Sequence, residues 1–345
     1  MDWLQIAIND KRIDFFDFHE EFNNPVFIAQ GGFGAIYRAT GKKRSTKQYA
    51  LKYLSSLEYD PLGYDSLVNE LRLLRQVDDE DFVARCYGVS RDPKTNSYIL
   101  VLKYVEQGSL ADYLKKNEGR LTWADRLRLA YQITEALDYI HDRCVIHRDL
   151  HSGNILINAA GRALITDFGL SRTATGKTSK LAVQGRVPYI PPERIASTMT
   201  KHDERGDVYS LGVIFWEISA DGIHPFSDAD YMTPFRICQG ERENPIEGTP
   251  EEYVKLYTQC WDGDPVKRPK MAEILARLAA MMKVEVGQKV KDMEDELVLG
   301  DGLSSMGTPP EPADSASTAI RDVEHEGMGK DGDSELIRRG EPNNG

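Results

Sequence analysis

The stretch HRDLHSGN, residues 147–154, holds two histidines, an arginine, an aspartate and an asparagine in eight positions. A connecting loop has no need of so many proton acceptors and donors. A second stretch, AQGGFGAIYRA at 29–39, sets glycines between two apolar strand halves. With no side chains in the way, backbone amides there can approach a polyphosphate, although a glycine-rich hairpin alone is often just a turn. Eighteen residues after Gly34, Lys52 sits in the otherwise apolar YALK, and after another eighteen Glu70 falls within NELRLL. A lysine on a strand usually faces water, as does a glutamate on a helix. If the two meet instead, the carboxylate can hold the ammonium toward α and β phosphates. Thirteen residues after Asn154, behind the apolar run ALIT, comes DFG, Asp167 to Gly169.

The 345 residues that must position these groups have room for about two domains of ~100–200 residues each. From Val26 to about Tyr104 the strand-like runs NPVFIAQ, AIYRAT, KQYALKYL and SYILVLKYV surround one helical segment, DSLVNELRLLRQV, with Leu67, Leu71 and Leu74 at helical spacing. From Ser109 to Met282 the period is helical, as in WADRLRLAYQITEALDYIHDR and DVYSLGVIFWEISA. Ahead of both, Trp3, Leu4, Ala7 and Ile8 form a short amphipathic piece before IDFFDFHEEF, which reads as packing onto the domain that follows. Residues 283–345 contain no Phe, Tyr or Trp and are rich in Gly, Pro, Ser, Asp and Glu, so they are expected to be largely disordered. Within them KVKDMEDELVL, 289–299, is too short and too charged to hold a helix alone.

Net charge is −12, and from Val284 onward six basic residues stand against fifteen acidic ones. The rest is close to neutral, which leaves neither a basic footprint for nucleic acid nor a polybasic patch for anionic lipid. Cys86, Cys144, Cys238 and Cys260 show no metal-ligand spacing and lie in apolar stretches, as expected of buried, reduced thiols. No basic leader precedes an apolar run, and no 18 consecutive residues are apolar. The chain therefore reads as soluble and cytoplasmic, with no transmembrane segment.

In order and spacing these motifs resemble the eukaryotic protein kinase domain, over roughly residues 24–282. Four residues separate Asp149 from Asn154; PPE at 191–193, DVYSLG at 207–212 and CWDGDPVKRP with Arg268 extend the match. GSLADYL, CW and RP are similar to the tyrosine-kinase-like and tyrosine-kinase groups. The resemblance implies an α+β, bilobal fold: a small β-rich N-lobe with one main helix (24–104) and a larger, mostly helical C-lobe (109–282). An N-terminal extension (1–23) precedes them and the acidic tail (283–345) follows. It implies ATP and Mg2+ as cofactors, a protein substrate, and either an activating kinase or autophosphorylation. In phosphoryl transfer, where catalysis is positioning plus charge stabilisation, Asp149 would orient or accept the substrate hydroxyl proton. Asn154 and Asp167 would hold magnesium, and Lys52, paired with Glu70, would neutralise phosphate charge.

The ATP site carried over from the family comprises Ile28, Ala29, Gln30, Gly31, Gly32, Phe33, Gly34, Ile36, Ala50, Lys52 and Leu156, with Leu102 at the rear and Lys103, Tyr104 and Val105 as the hinge. His147 would pack beneath Phe168 in a column extended by Leu74, and Arg268 would pair with Glu193. Arg148 would bind a phosphate on one of Ser171, Thr173, Thr175, Thr178 or Ser179.

The family pattern is broken in three places. Ala29 stands for the first glycine of the loop, His151 for the lysine of serine/threonine kinases, and Arg186 for a threonine. His151 has two readings: a protonated catalytic substitute for the lysine, or a loop residue that leaves the charge to Arg186. Tyr189 resembles the serine/threonine pattern and PPE the tyrosine one. Serine/threonine specificity is favoured, with tyrosine or dual specificity as the alternative. A pseudokinase scaffold is disfavoured because Lys52, Glu70, Asp149, Asn154 and Asp167 are all present. A small-molecule phosphotransferase would not need the PPE segment.

Overall fold

The computed structural model describes residues 3–31, 34–54, 61–173, 186–197 and 203–301. In chain order the elements are α1 (Trp3–Asn9), β1 (Asp14–Phe16), α2 (Phe18–Glu21), β2 (Phe22–Gly31), β3 (Gly34–Gly41), β4 (Gln48–Leu54), α3 (Pro61–Gln76), β5 (Cys86–Arg91) and β6 (Tyr98–Lys103). Then come α4 (Leu110–Lys116), α5 (Trp123–Asp142), β7 (Val145–Ile146), β8 (Ile155–Ile157), β9 (Ala163–Ile165), β10 (Arg172–Thr173), α6 (Pro192–Ala196), α7 (Glu204–Ser219), α8 (Thr233–Cys238), α9 (Glu251–Cys260) and α10 (Met271–Asp301). A β-rich N-terminal part thus precedes a helical one, the α+β class that the sequence patterns imply.

Six of the strands form one sheet in the order β1-β5-β6-β4-β3-β2, while β7 pairs with β10 and β8 with β9 in two small separate sheets. Along β4, alternation places Tyr49 and Leu51 in a cluster with Phe22, Ala39, Ile99 and Val101, which leaves Ala50 and Lys52 for the opposite face. On α3, Leu67, Glu70, Leu71 and Leu74 recur at helical spacing, and all four are buried. Burying the leucine stripe carries Glu70 inward with it.

Residues before β2 belong to this architecture. Leu4 and Ala7 of α1 are buried, and the Arg72 guanidinium of α3 lies 4.4 Å from the centre of the Trp3 ring. Strand β1 pairs in parallel with β5, and Ser90 Oγ donates to the Phe16 carbonyl at 2.8 Å. Gly88 permits that pairing: a Cβ there would stand 2.1 Å from the Asp14 carbonyl oxygen.

Helix α7 is the centre of the helical part, with every residue from Asp207 to Ser219 buried. A helix apolar nearly all round belongs inside a core. Helix α5 starts with a capping box in which Thr122 and Asp125 exchange side-chain and backbone bonds.

Two expectations need correction. Residues 283–301, placed in a disordered tail, continue α10; as an extension of an existing helix they avoid the nucleation cost that an isolated segment of that length faces. Cys144, expected to be buried, is exposed at the turn after α5 with φ of 57°, while Cys260 is buried; all four thiols are free. One compact unit ends at Met293, and of the unit that begins at Glu294 residues 294–301 are described and helical. Among the described residues, no helix is long and apolar enough to cross a membrane.

Candidate active site

Lys52 Nζ lies 2.8 Å from Glu70 Oε1 and 2.9 Å from Asp167 Oδ1. Lys52 and Glu70 are each 3% exposed, so this is a buried pair rather than two solvated side chains. Burial opposes the charge on Lys52, but Glu70 and Asp167 outweigh it, and the ammonium is held above its usual range. Burial likewise pushes Asp167 up, while the Lys52 charge and hydrogen bonds from Lys52 and the Gly169 N–H (3.3 Å) pull it below the usual carboxylate value. The residue is held with φ of 65°, a left-handed conformation that non-glycine residues rarely adopt.

Asp149 lies across from this group. Asn154 Nδ2 donates to its carbonyl at 2.9 Å and reaches its Oδ2 at 3.4 Å. Burial, with the charge of Asp167, raises the Asp149 carboxyl above its ordinary value. Its loop is clamped from below: the N–H groups of His147 and Arg148 donate to the Asp207 carboxylate at 2.8 Å each, and His141 Nε2 meets the same carboxylate at 2.9 Å. Arg148 has φ of 71°. His147, fully buried, faces the Phe168 ring at 5.2 Å, as the resemblance implies. Its Nε2 meets the Thr166 carbonyl at 3.0 Å and its Nδ1 meets the Asp149 N–H at 3.3 Å. Since a carbonyl only accepts and an N–H only donates, the ring is the Nε2–H tautomer.

Ala50 pairs with Leu102 across β4 and β6, and Ile36 with Lys52 across β3 and β4. Val105 and Leu102 are buried, Lys103, Tyr104 and Leu156 partly so, and Ile28, Ala29 and Gln30 are exposed on β2. Gly31 and Gly34 end the paired hairpin strands; Gly32 and Phe33 lie outside the described residues, as do Thr175, Thr178 and Ser179. Thr173 lies in β10, opposite Val145. Ser171 is withdrawn from the candidates for modification: it is fully buried, and its Oγ donates to the His147 carbonyl at 2.9 Å.

His151 carries two readings, and its surroundings disfavour the first. The imidazolium reading needs a ring that can take up a proton, yet burial first, then the Arg186 charge, lower the pKa to about 3. The ring is 7% exposed and its Nδ1 accepts from the Gly153 N–H at 3.0 Å, with Nε2 at 3.9 Å from Asp149 Oδ2. It is a neutral residue against the base.

The segment that follows DFG is anchored twice. Arg268 and Glu193 form a bidentate pair at 2.9 and 2.7 Å, the partnership the motifs imply. Below Tyr189, whose OH donates to Glu217 Oε2 at 2.8 Å, Ser152 Oγ donates to Oε1 at 2.8 Å. Burial pushes Glu217 up to about 7 despite these donors. Sequence reading passed over Glu217, Ser152 and the clamp role of Asp207. A lone carboxylate inside the apolar run GVIFWEIS was the available signal.

A sheet-borne lysine tied to a helical glutamate and the DFG aspartate, above a clamped base loop, defines the protein kinase class. The family model for protein tyrosine and serine/threonine kinases matches residues 25–278, and the chain belongs to that family. It is 27% identical over 317 residues to the tyrosine-protein kinase transforming protein Abl of Abelson murine leukemia virus, covering 90% of this chain and 41% of that protein. It is 27% identical over 265 residues to the serine/threonine-protein kinase STY17 of Arabidopsis thaliana, covering 75% of this chain and 44% of that protein. The chain thus spans less than half the length of either relative.

Proposed function

We propose that the chain transfers the γ-phosphoryl group of ATP to a serine or threonine hydroxyl of a protein, with Mg2+ as cofactor. The observation that carries this reading is the buried Lys52 joined to both Glu70 and Asp167, with Asp149 and Asn154 opposite. In this reading Lys52 binds phosphate oxygens and Glu70 fixes the ammonium. Asp149, raised by burial, orients the acceptor hydroxyl and takes its proton. Ile28, Ile36, Ala50, Leu102 and Leu156 enclose the adenine of ATP, and the backbone of 103–105 meets its edge.

The donors fit magnesium. Among the described residues both hydrogen bonds to Asp167 fall on Oδ1, which leaves Oδ2 for a cation, and Asn154 offers an amide oxygen. Among the described residues no group of three or more His, Cys, Asp or Glu forms a cage. That is the arrangement of an ion that keeps waters and substrate phosphates as ligands. When bound, Mg2+ would neutralise charge on the phosphates.

The kinase domain is proposed to span 24–282, with Arg148 as a receiver for a phosphate on the segment after DFG. The serine/threonine preference rests on Tyr189, which resembles the serine/threonine pattern. The test is incubation of purified protein with labelled ATP and magnesium, followed by phosphoamino-acid analysis. Labelled phosphoserine or phosphothreonine is expected. Phosphotyrosine alone overturns the acceptor preference, and near-parental turnover by Asp167→Ala overturns the enzyme reading.

A further inference from the structure

Phosphoryl transfer spreads negative charge over the equatorial oxygens of the moving group, and a protein cation near the base is a recurrent means of stabilising it. The structure is unequal in the cations it offers near Asp149. Lys52, held by Glu70 and Asp167, is already assigned to the nucleotide phosphates. His147 spends its Nε2–H on the Thr166 carbonyl, and the buried His151 uses Nδ1 as an acceptor for Gly153. Arg186 differs. It is exposed, and among the described residues no carboxylate lies within 4.0 Å of its guanidinium. Its Nη2 stands 3.4 Å from where a Cβ on Gly153 would be, and that Cβ would fall 2.9 Å from His151 Cε1. The absent side chain at 153 leaves room for the His151 ring, with the guanidinium at contact distance from the same spot.

We propose that Arg186 is a catalytic residue whose guanidinium supplies positive charge to the transferred phosphoryl group beside Asp149, at the corner it shares with His151 and Gly153. The assignment rests on the kinase reading above. Arg186 directly precedes the short turn Val187–Tyr189, whose last residue is bonded to Glu217, and Glu193 beyond it is held by Arg268, so the backbone that carries the guanidinium is anchored on its C-terminal side. A guanidinium suits the task because it stays charged throughout the physiological pH range.

The experiment compares the full chain with R186T, H151K and the H151K/R186T double variant, using labelled ATP and myelin basic protein, with kcat, both KM values and melting temperature for each. R186T should lose about 10²–10³ in kcat, the range for removing one preorganised charge-stabilising group, with KM for ATP and melting temperature unchanged. H151K should restore most of that loss in the R186T background, because it returns a cation to the same corner. Where the double variant fails to fold, recovery of R186G turnover by added methylguanidinium reads the same property. A raised KM for the protein acceptor with kcat intact makes Arg186 an acceptor-binding residue and overturns the assignment. So does a fall in kcat that neither H151K nor methylguanidinium relieves. Absence of turnover in the unsubstituted chain removes the kinase reading itself, a failure visible before any substitution.

Discussion

Lys52 shows how burial turns an ordinary residue type into a sensitive one. Removing it deletes a charge the reaction needs and also strands Glu70, 3% exposed, without its partner. Lys52→Ala is expected to lose about 10² or more in turnover and about 3–5 kcal/mol of stability, the usual cost of breaking a buried pair. Adding Glu70→Gln should recover much of the melting temperature and none of the activity, which separates the two effects. Glu217 gives a pH prediction of defined sign. Its pKa rises from 4.5 to about 7 on folding, so the folded state holds a proton that the unfolded chain has lost within that window. Stability is then greatest below the unfolded value and falls as pH rises toward the folded one. At about 1.4 kcal/mol per unit the loss is on the order of 3 kcal/mol. Urea unfolding from about pH 5 to 8 should show this decline in the parent and a flatter profile in Glu217→Gln, in which this titration is absent.

Among the elements, the N-terminal segment makes the least expected contribution. Its amphipathic spacing is legible in Trp3, Leu4, Ala7 and Ile8, but a three-residue parallel strand carries too little periodicity to announce itself. Strand β1 exists because Gly88 leaves space for the Asp14 carbonyl and because Ser90 bonds the Phe16 carbonyl. Gly88→Ala should drive β1 off the sheet edge, seen as lost amide-exchange protection over residues 14–16 with protection in β3 and β4 retained. Leu4→Ala, at a fully buried position, should cost about 2–5 kcal/mol. Because Arg72 of α3 stacks on Trp3, the same variant is expected to loosen the helix that carries Glu70.

For the whole molecule, α10 shows where packing ends. Met281 and Met282 pack against the main core, whereas Val284 and Val286 are 73% and 59% exposed. Ending the chain after Lys283 should leave the melting temperature essentially unchanged. Ending it after Arg277 removes the fully buried Leu278 and should lower it clearly. A large drop for the longer truncation product would show that the helical residues beyond 283 contribute to the fold.

The motif residues of the site were readable because two periods, two residues in strands and about 3.6 in helices, decide which side chains share a face. The stripe Leu67-Leu71-Leu74 marked the inward face of the helix, but residue type alone left Lys52 and Glu70 as solvated side chains, and burial is what joins them. The resemblance to protein kinases also marked Asp149, Asn154 and Asp167 and implied the partnership of Arg268 with Glu193. Tertiary structure alone decided the state of those groups. His151 is neutral, Ser171 is closed off, Glu217 holds its proton up to about pH 7 and Gly153 makes room for the His151 ring. Each depends on burial and on neighbours far away in the chain: the protonation free energy of a side chain is set by the water it has lost and the charges brought near it, and neither is encoded in the residues on its two sides.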